Sequence, residues 1–335
     1  MKIETPSVSV LGAFELAGAS VRHVPGGLIN QTHFVDRGGE RFVLQRVHSV
    51  FGPTVHEDIE AVTAHLASKG IETPRLLRTT DGELWTENSG AIWRMLTHLA
   101  GETVHRCTDP RQAETGFALV ARFHDAVSDL DHEFQFVRAG VHDTAAHLQR
   151  MRDVCTDDLS GEILAAADAL PELGELPRRV THGDLKISNV LFAKKAPPRA
   201  RCLIDLDTLG RQTMAYELGD ALRSWCNPSG EDVDRTDVDR DVFEAAMRGY
   251  ASADTQLLTS AEVDSLVPGL ETVCVELAAR FCVDAVEDAY FGWDADRFES
   301  RTEHNLVRAR GQLALARAVR AARAELDEIV SRYLR

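Results

Sequence analysis

The chain has 335 residues, 44% of them hydrophobic, and its 53 acidic against 37 basic side chains leave a formal net charge of −16. That length and apolar content suffice for a large core spread over about two domains or lobes. The acidic balance and the lack of any basic block give no electrostatic footprint for nucleic acid or an anionic membrane. No apolar run approaches the ~20 residues a membrane span needs. The N-terminal MKIETPSVSVLGAFELAG lacks a basic region and is interrupted by Glu15, a poor signal peptide. Six cysteines never fall in CxxC spacing. They read as core thiols of a reducing cytoplasm rather than a zinc site or a disulfide framework.

The first predicted elements are strands: Ser20–Val24, a Pro25-Gly26-Gly27 turn, Thr32–Asp36, a Gly38-Gly39 turn and Arg41–Val47. Gly26 and Gly27 stand where a nucleotide-binding lobe brings backbone amides to phosphates, and Asn30 is the polar tip beyond them. The string is not G-x-G-x-x-G, and Pro-Gly-Gly is equally an ordinary turn. In kinases the third strand ends in a lysine that holds the α- and β-phosphates and pairs with a glutamate of the next helix. Gln45 occupies that position here. Either Arg46 takes over the phosphate or the site manages without the lysine. Ile59, Val62 and Leu66 at helical spacing predict a helix over 54–69, with Glu57 and Glu60 as candidate partners. Gly70 to Pro74 breaks it. Glu83–Thr86 and Ala91–Leu96 alternate as strands. The second runs into Thr97-His98-Leu99, which resembles the hinge between kinase lobes, so backbone groups at Thr97 and Leu99 are placed against the adenine.

Beyond this point the period turns helical. Helices are expected over Pro110–Ser128, Asp143–Cys155 and Leu159–Leu170. His124-Asp125 on the first reads as a structural pair rather than a catalytic one. The stretch VTHGDLKISNVLF (180–192), followed by RCLIDLDT (201–208), carries the chemistry. The protein-kinase catalytic loop is H-R-D-L-x-x-x-N with a metal-binding aspartate soon after, and here the spacing is kept while Gly183 replaces the arginine. Phosphoryl transfer needs a carboxylate beside the acceptor hydroxyl and oxygen ligands holding Mg²⁺ on the phosphates. Asp184 is the candidate base, Asn189 and Asp205 suit Mg²⁺ as ligands, and Lys186 is placed to reach the transferred phosphate as a point charge. A continuing strand through Asp205-x-Asp207 would put both carboxylates on one face, so Asp207 is a second ligand, a substrate contact or a turn former. Met214–Cys226 reads as a helix with Asp220 and Arg223 on one face. Glu231–Asp241 reads as a solvated linker or helix start. From Ala261 to Leu334 the chain is nearly all amphipathic helix, interrupted near Phe291-Gly292-Trp293.

These motifs resemble the aminoglycoside phosphotransferase/choline kinase-like superfamily, and most closely its N-acetylhexosamine 1-kinase branch. THGDLKISNVLF, LIDLDTLG and ELGDALRSW (217–225) carry the resemblance, joined by WRMLTHLAGE (93–102), RFCVDAVEDAYF (280–291) and HNLVRARGQLAL (304–315). It implies an α+β, protein-kinase-like bilobal fold. A small antiparallel-sheet nucleotide-binding lobe would span 1–97, and a large helical catalytic and acceptor-binding lobe 98–335. By motif match it implies substrate contacts at Arg280 and Tyr290, with Asn30 and Arg223 as further candidates, and a loop-stabilising role for Asp220. The expectation is an ATP- and Mg²⁺-dependent kinase acting in the cytoplasm as a monomer or homodimer. Its acceptor would be the anomeric hydroxyl of an N-acetylhexosamine. An aminoglycoside, choline, homoserine or another sugar is the alternative acceptor. A nucleotide-binding module with little transfer activity and a phosphohydrolase built on Asp205 and Asp207 are readings of other classes.

Overall fold

The computed structural model describes residues 3–25, 29–137, 140–253 and 257–335. Gly26 and Gly27 lie outside the described residues. The chain divides into two compact units, Met1–Ala100 with Asp129–Val137, and Gly101–Ser128 with Arg138–Arg335.

The first unit is built on a six-stranded antiparallel sheet. Strands β1 (Ser20–Val24), β2 (Gln31–Arg37) and β3 (Glu40–Arg46) run in meander, with Gly38 and Gly39 at positive φ making the tight second turn. A short helix α1 (Val8–Ala13), capped by Ser7, precedes them, and helix α2 (Val55–Ser68) follows. Strands β4 (Leu76–Leu77), β5 (Thr86–Asn88) and β6 (Ala91–Thr97) complete the sheet, in the order β1-β2-β3-β6-β4 with β5 also on β6. One face is apolar: Val35, Leu44, Trp93 and Met95 pack with Val10, Leu11 and Phe14. That face accounts for α1, which turn-rich composition concealed. Residues 129–137 return to this unit because α2 holds them. Buried Asp58 accepts hydrogen bonds from His132 and from the amides of Gln135 and Phe136, and Asp129 pairs with His65 and Lys69.

The second unit is mainly helical. It begins with α3 (Pro110–Ala126), started by an Asp109/Gln112 capping box with proline at its first position. Helices α4 (Thr144–Val154) and α5 (Asp158–Asp168) follow, then the ribbons β7 (Arg179–Thr181), β8 (Val190–Phe192), β9 (Ala200–Leu203) and β10 (Gly210–Gln212). Antiparallel pairing joins β7 to β10 and β8 to β9. Helices α6 (Met214–Trp225), α7 (Arg240–Ala251), α8 (Ser260–Asp264), α9 (Leu266–Glu287) and α10 (Arg301–Leu334) close the chain. Helix α9 is buried almost all round, its apolar residues packed on several sides and its buried Glu271, Glu276 and Asp284 met by hydrogen-bond or ion-pair partners.

Glycines let the helices of this unit meet backbone to backbone. A Cβ on Gly269 of α9 would lie 2.2 Å from the Ala215 carbonyl oxygen of α6, and one on Gly219 would lie 2.8 Å from the Gly269 carbonyl carbon. Neither obstacle is a flexible side chain, so Gly269→Val is expected to push α6 off α9. The cost is about 1–3 kcal/mol, read as a lower melting temperature with activity falling in parallel. An unchanged melt would show that the crossing yields freely.

The helix start expected in 231–241 is that of α7, and Asp234, Asp237 and Asp241 are exposed, but three of the other carboxylates are held by partners. Glu231 pairs with Arg223, Asp232 with His304, Arg308 and Arg297, and Asp239 caps α7. Alternation and charge density alone do not reveal such long-range partners.

Candidate active site

The site loop runs from β7 to β8. Thr181 ends β7, and Gly183 takes φ +79°, a region open to glycine at little cost. A Cβ there would sit 2.3 Å from the Thr208 carbonyl oxygen, while Thr208 Oγ1 donates to the His182 carbonyl at 2.8 Å. Thus the glycine that replaces the protein-kinase arginine is required by the close return of the 206–208 segment. His182 is wholly buried. Its Nε2 lies 3.0 Å from the Ile204 carbonyl, which only accepts, so Nε2 carries the hydrogen and Nδ1 accepts the Asp184 amide at 3.3 Å. Burial pulls its pKa below the ordinary value despite the nearby Glu217 and Asp184 carboxylates, which fits the neutral tautomer.

Asp184 is partly exposed, and its Oδ2 accepts from Lys186 Nζ at 2.6 Å and Asn189 Nδ2 at 3.0 Å. Asn189 also donates to the Asp184 backbone carbonyl at 2.8 Å. Lys186 therefore clamps the base. Burial works against its charge, but the carboxylates of Asp184 and Asp205 raise its pKa well above the lysine range. The Ile204 amide donates to the Asn189 carbonyl at 2.9 Å, and the next residue, Asp205, is close enough for its charge to act on Lys186. The Asn189 amide nitrogen is committed to Asp184, so its side-chain oxygen is the atom left for a cation. An amide oxygen beside an aspartate is the donor chemistry magnesium takes, its other positions being filled by water and phosphate.

The expected strand through Asp205-x-Asp207 is not present. Strand β9 stops at Leu203, Asp205 adopts the left-handed conformation (φ 65°, ψ 61°), and 206–208 form a single 3₁₀ turn. A non-glycine residue held there is strained, a feature that clusters at functional sites. The turn takes Asp207 off any common strand face with Asp205, and it is buried at 1% exposure.

Glu217, one turn before Asp220 on α6, holds the loop through its backbone amides. Its Oε1 accepts from the His182 amide at 2.8 Å and its Oε2 from the Gly183 amide at 3.0 Å. His124 Nε2 donates to Oε1 at 3.2 Å, and His124 Nδ1 is 3.0 Å from the Tyr250 hydroxyl. Helix α6 holds the loop twice more, through Trp225 Nε1 to the Leu185 carbonyl at 2.8 Å and Ser224 Oγ to the Ile187 amide. Gly116 of α3 makes room for that indole. Asp220 instead pairs at 2.8 Å with Arg223, which is buried and also pairs with Glu231, so Arg223 serves the loop's surroundings through ion pairs.

A polar tract extends from there along α9. Glu276 is buried and accepts from His142 Nδ1 at 3.1 Å and Thr144 Oγ1 at 2.6 Å, and Thr144 meets the Tyr216 hydroxyl at 3.1 Å. His142 stacks on Tyr216 with centroids 4.9 Å apart. Burial opposes its charge, but Glu276 and then Asp220 hold its pKa above the ordinary value. Arg280, one turn beyond Glu276, lies over the rings of Tyr290 (5.9 Å) and Phe291 (5.5 Å). Asp284 fixes the loop after α9 by accepting from the amides of Ala289, Tyr290 and Phe291 and from Asn305. That leaves Tyr290 presented at 50% exposure.

In the first unit, Gln45 accepts from Arg94, and Arg46 lies on the opposite face of β3, paired with Glu4 at 2.7 Å. Strand alternation therefore removes Arg46 from the face that Gln45 occupies. Glu60 faces Arg75 and Arg78 rather than the end of β3. Asn30 is buried, its Oδ1 accepting the His48 amide at 2.9 Å. Thr97 ends β6 with its hydroxyl on the Arg75 amide, and Leu99 follows in half-buried coil. Glu217, Tyr250 and Glu276 escaped the sequence reading, which took His124 as structural without its partners; the ELGD string held Glu217, but only the fold shows which carboxylate meets the loop.

Comparison with known proteins places these features. The phosphotransferase enzyme family (APH) matches residues 20–253. A homoserine kinase of Bradyrhizobium sp. is 28% identical over 202 residues, 55% of this chain, and the chain spans 60% of that relative's length. A microcompartment-associated aminopropanol kinase shares the fold with a TM-score of 0.69 at 16% identity, covering 96% of this chain and 97% of the other. The amicoumacin kinase hAmiN, solved in complex with AMP-PNP, Ca²⁺ and Ami, aligns with a TM-score of 0.59 at 12% identity over 88% of this chain and 87% of the other. The fold is thus the mixed α/β, protein-kinase-like one, with a small antiparallel sheet and a helical C-terminal part.

Proposed function

Because the chain belongs to the phosphotransferase enzyme family, we propose that it transfers the γ-phosphoryl group of ATP to a hydroxyl of a small polar molecule. The observation that carries this reading is the loop itself. Asp184 is clamped through Oδ2 by Lys186 and Asn189, which leaves Oδ1 for the acceptor. Asp184 orients the hydroxyl and takes its proton late, as the acceptor oxygen bonds to phosphorus and ADP leaves with the bridging oxygen. Asn189 and Asp205 would hold Mg²⁺, which when bound neutralises charge on the phosphate oxygens. Backbone groups near Thr97 and Leu99 would meet the adenine.

For the acceptor we favour the anomeric hydroxyl of an N-acetylhexosamine. Arg280 over Tyr290 and Phe291 supplies a guanidinium and an exposed aromatic ring, the pairing that recognises a sugar's polar rim and apolar face. A second reading is a hydroxy-amine or hydroxy-amino acid. It is favoured by the homoserine kinase similarity.

ADP release with ATP and Mg²⁺ across N-acetylhexosamines, hexoses, aminoglycosides, choline and homoserine tests both. Acceptor-dependent ADP with an N-acetylhexosamine, giving an acid-labile phosphate, is the expected result, and Arg280→Ala should then raise the acceptor KM by about tenfold. ADP with homoserine instead would move the second reading to first place, and no transfer to any acceptor would refute the kinase reading.

A further inference from the structure

The β7–β10 ribbon that flanks the site loop carries a pair of cations on one face. Arg211 is the direct cross-strand partner of Val180, and Arg178 stands two residues before Val180. Alternation therefore sends all three side chains off the ribbon on the same side. They border a cavity of 110 Å³, closed by His124, Val127 and Leu257. His124 and Val127 are buried, whereas Arg178 and Arg211 are exposed. Arg179 borders the cavity too, but its guanidinium is committed to the buried carboxylate of Glu262 at 2.6 Å. Arg178 Nη2 donates to the Arg211 carbonyl, which fixes that guanidinium against the neighbouring strand. Among the described residues no carboxylate pairs with Arg178 or Arg211, although the chain carries a net charge of −16. Like charges this close on one ribbon face work against the fold, and an anion between them reverses that sign.

We propose that this cavity binds the phosphate group of a small anion, held by the guanidinium forks of Arg178 and Arg211. Each fork meets two oxygens at a time, so two forks suit a phosphate, which offers more oxygens than a carboxylate does. The site is distinct from the Asp184 loop and does not depend on the kinase reading, yet it is joined to that loop by three elements. Strand β7 runs into His182 and Gly183, and β10 begins two residues after Thr208, whose hydroxyl holds the His182 carbonyl. His124, in the cavity wall, holds Glu217. A phosphate bound across Arg178 and Arg211 ties together the two strands that deliver the site loop and its return segment.

The test is calorimetric titration of the full chain with inorganic phosphate, with a sugar 1-phosphate and with sodium chloride at matched ionic strength. AMP-PNP–Mg²⁺ is present throughout, so that the Asp184 site is occupied. Saturable phosphate binding is expected, weakened about threefold in Arg178→Gln or Arg211→Gln and at least about tenfold in the double variant. Both positions are exposed, so these variants should fold. Arg310→Gln, which removes an exposed charge from α10, should leave the affinity unchanged. Phosphate should also raise the melting temperature of the wild type and not that of the double variant. Tighter binding of the sugar phosphate than of inorganic phosphate would assign an organic phosphate to the site, and the reverse would assign the free ion. Heats that sodium chloride reproduces, or binding that the double variant retains, would overturn the site and leave the kinase reading intact. A chain that binds no AMP-PNP would count against the kinase reading alone, since the arginine variants still decide where phosphate sits.

Discussion

Asp184→Asn should lower phosphoryl transfer by about 10²–10⁴-fold, the range general-base catalysis contributes, with nucleotide affinity within twofold of the wild type. The reason lies in which oxygen is used. Oδ2 is occupied by Lys186 and Asn189, both donors. An asparagine can satisfy those donors only by placing its carbonyl oxygen there, which turns its NH₂ group toward the acceptor hydroxyl. In that orientation it donates where a base must accept. In the flipped orientation three donors converge and the loop loses its clamp. The change is isosteric at a partly exposed position, so the fold should survive, and steady-state transfer with nucleotide titration on one preparation separates chemistry from binding. Undiminished turnover would remove Asp184 from the base role.

Much of this site was legible because its chemistry fixes a spacing. A base, an amide ligand five residues on and a carboxylate after the next strand must share a small volume, so the stretch from His182 to Asp205 stands out from its spacing alone. The β1–β3 meander was legible for a related reason, since Gly38-Gly39 permits positive φ and alternation marks the strands. What sequence could not show was direction. A strand pattern through Leu203-Ile204-Asp205 carries no sign that φ turns positive at Asp205, because that depends on Thr208 returning to Gly183. The spacing of Asp220 and Arg223 on α6 is real, yet it is Glu217, a turn away, that meets the loop amides; rotation of a helix about its axis is set by Gly219 against Gly269, a tertiary contact.

Glu217→Gln should be the most destabilising conservative change in the second unit. The carboxylate accepts from three donors, the amides of His182 and Gly183 and the imidazole of His124, inside a region closed to water. Glutamine offers one oxygen, so its NH₂ must face either the Gly183 amide or the His182–His124 pair, donor against donor. Losing charge-assisted bonds and leaving buried donors unmet costs about 3–5 kcal/mol. The pH dependence separates this from simple mispacking. Burial pushes the Glu217 carboxyl up, but the hydrogen bond and charge of His124, then His182, bring its pKa below the usual 4.5. A carboxyl whose folded value is depressed stabilises the fold fully above its unfolded pKa and loses that contribution as pH falls through the folded one. Wild type and variant should therefore differ most in melting temperature near neutral pH and draw together as pH falls below the ordinary carboxyl value of 4.5 toward the depressed folded one. A gap that stays constant down to pH 3 would mean that the charge contributes nothing and that only shape holds the loop. Since the same carboxylate sets the two amides preceding Asp184, loss of transfer at pH 7 should accompany loss of stability, even at temperatures where the variant remains folded.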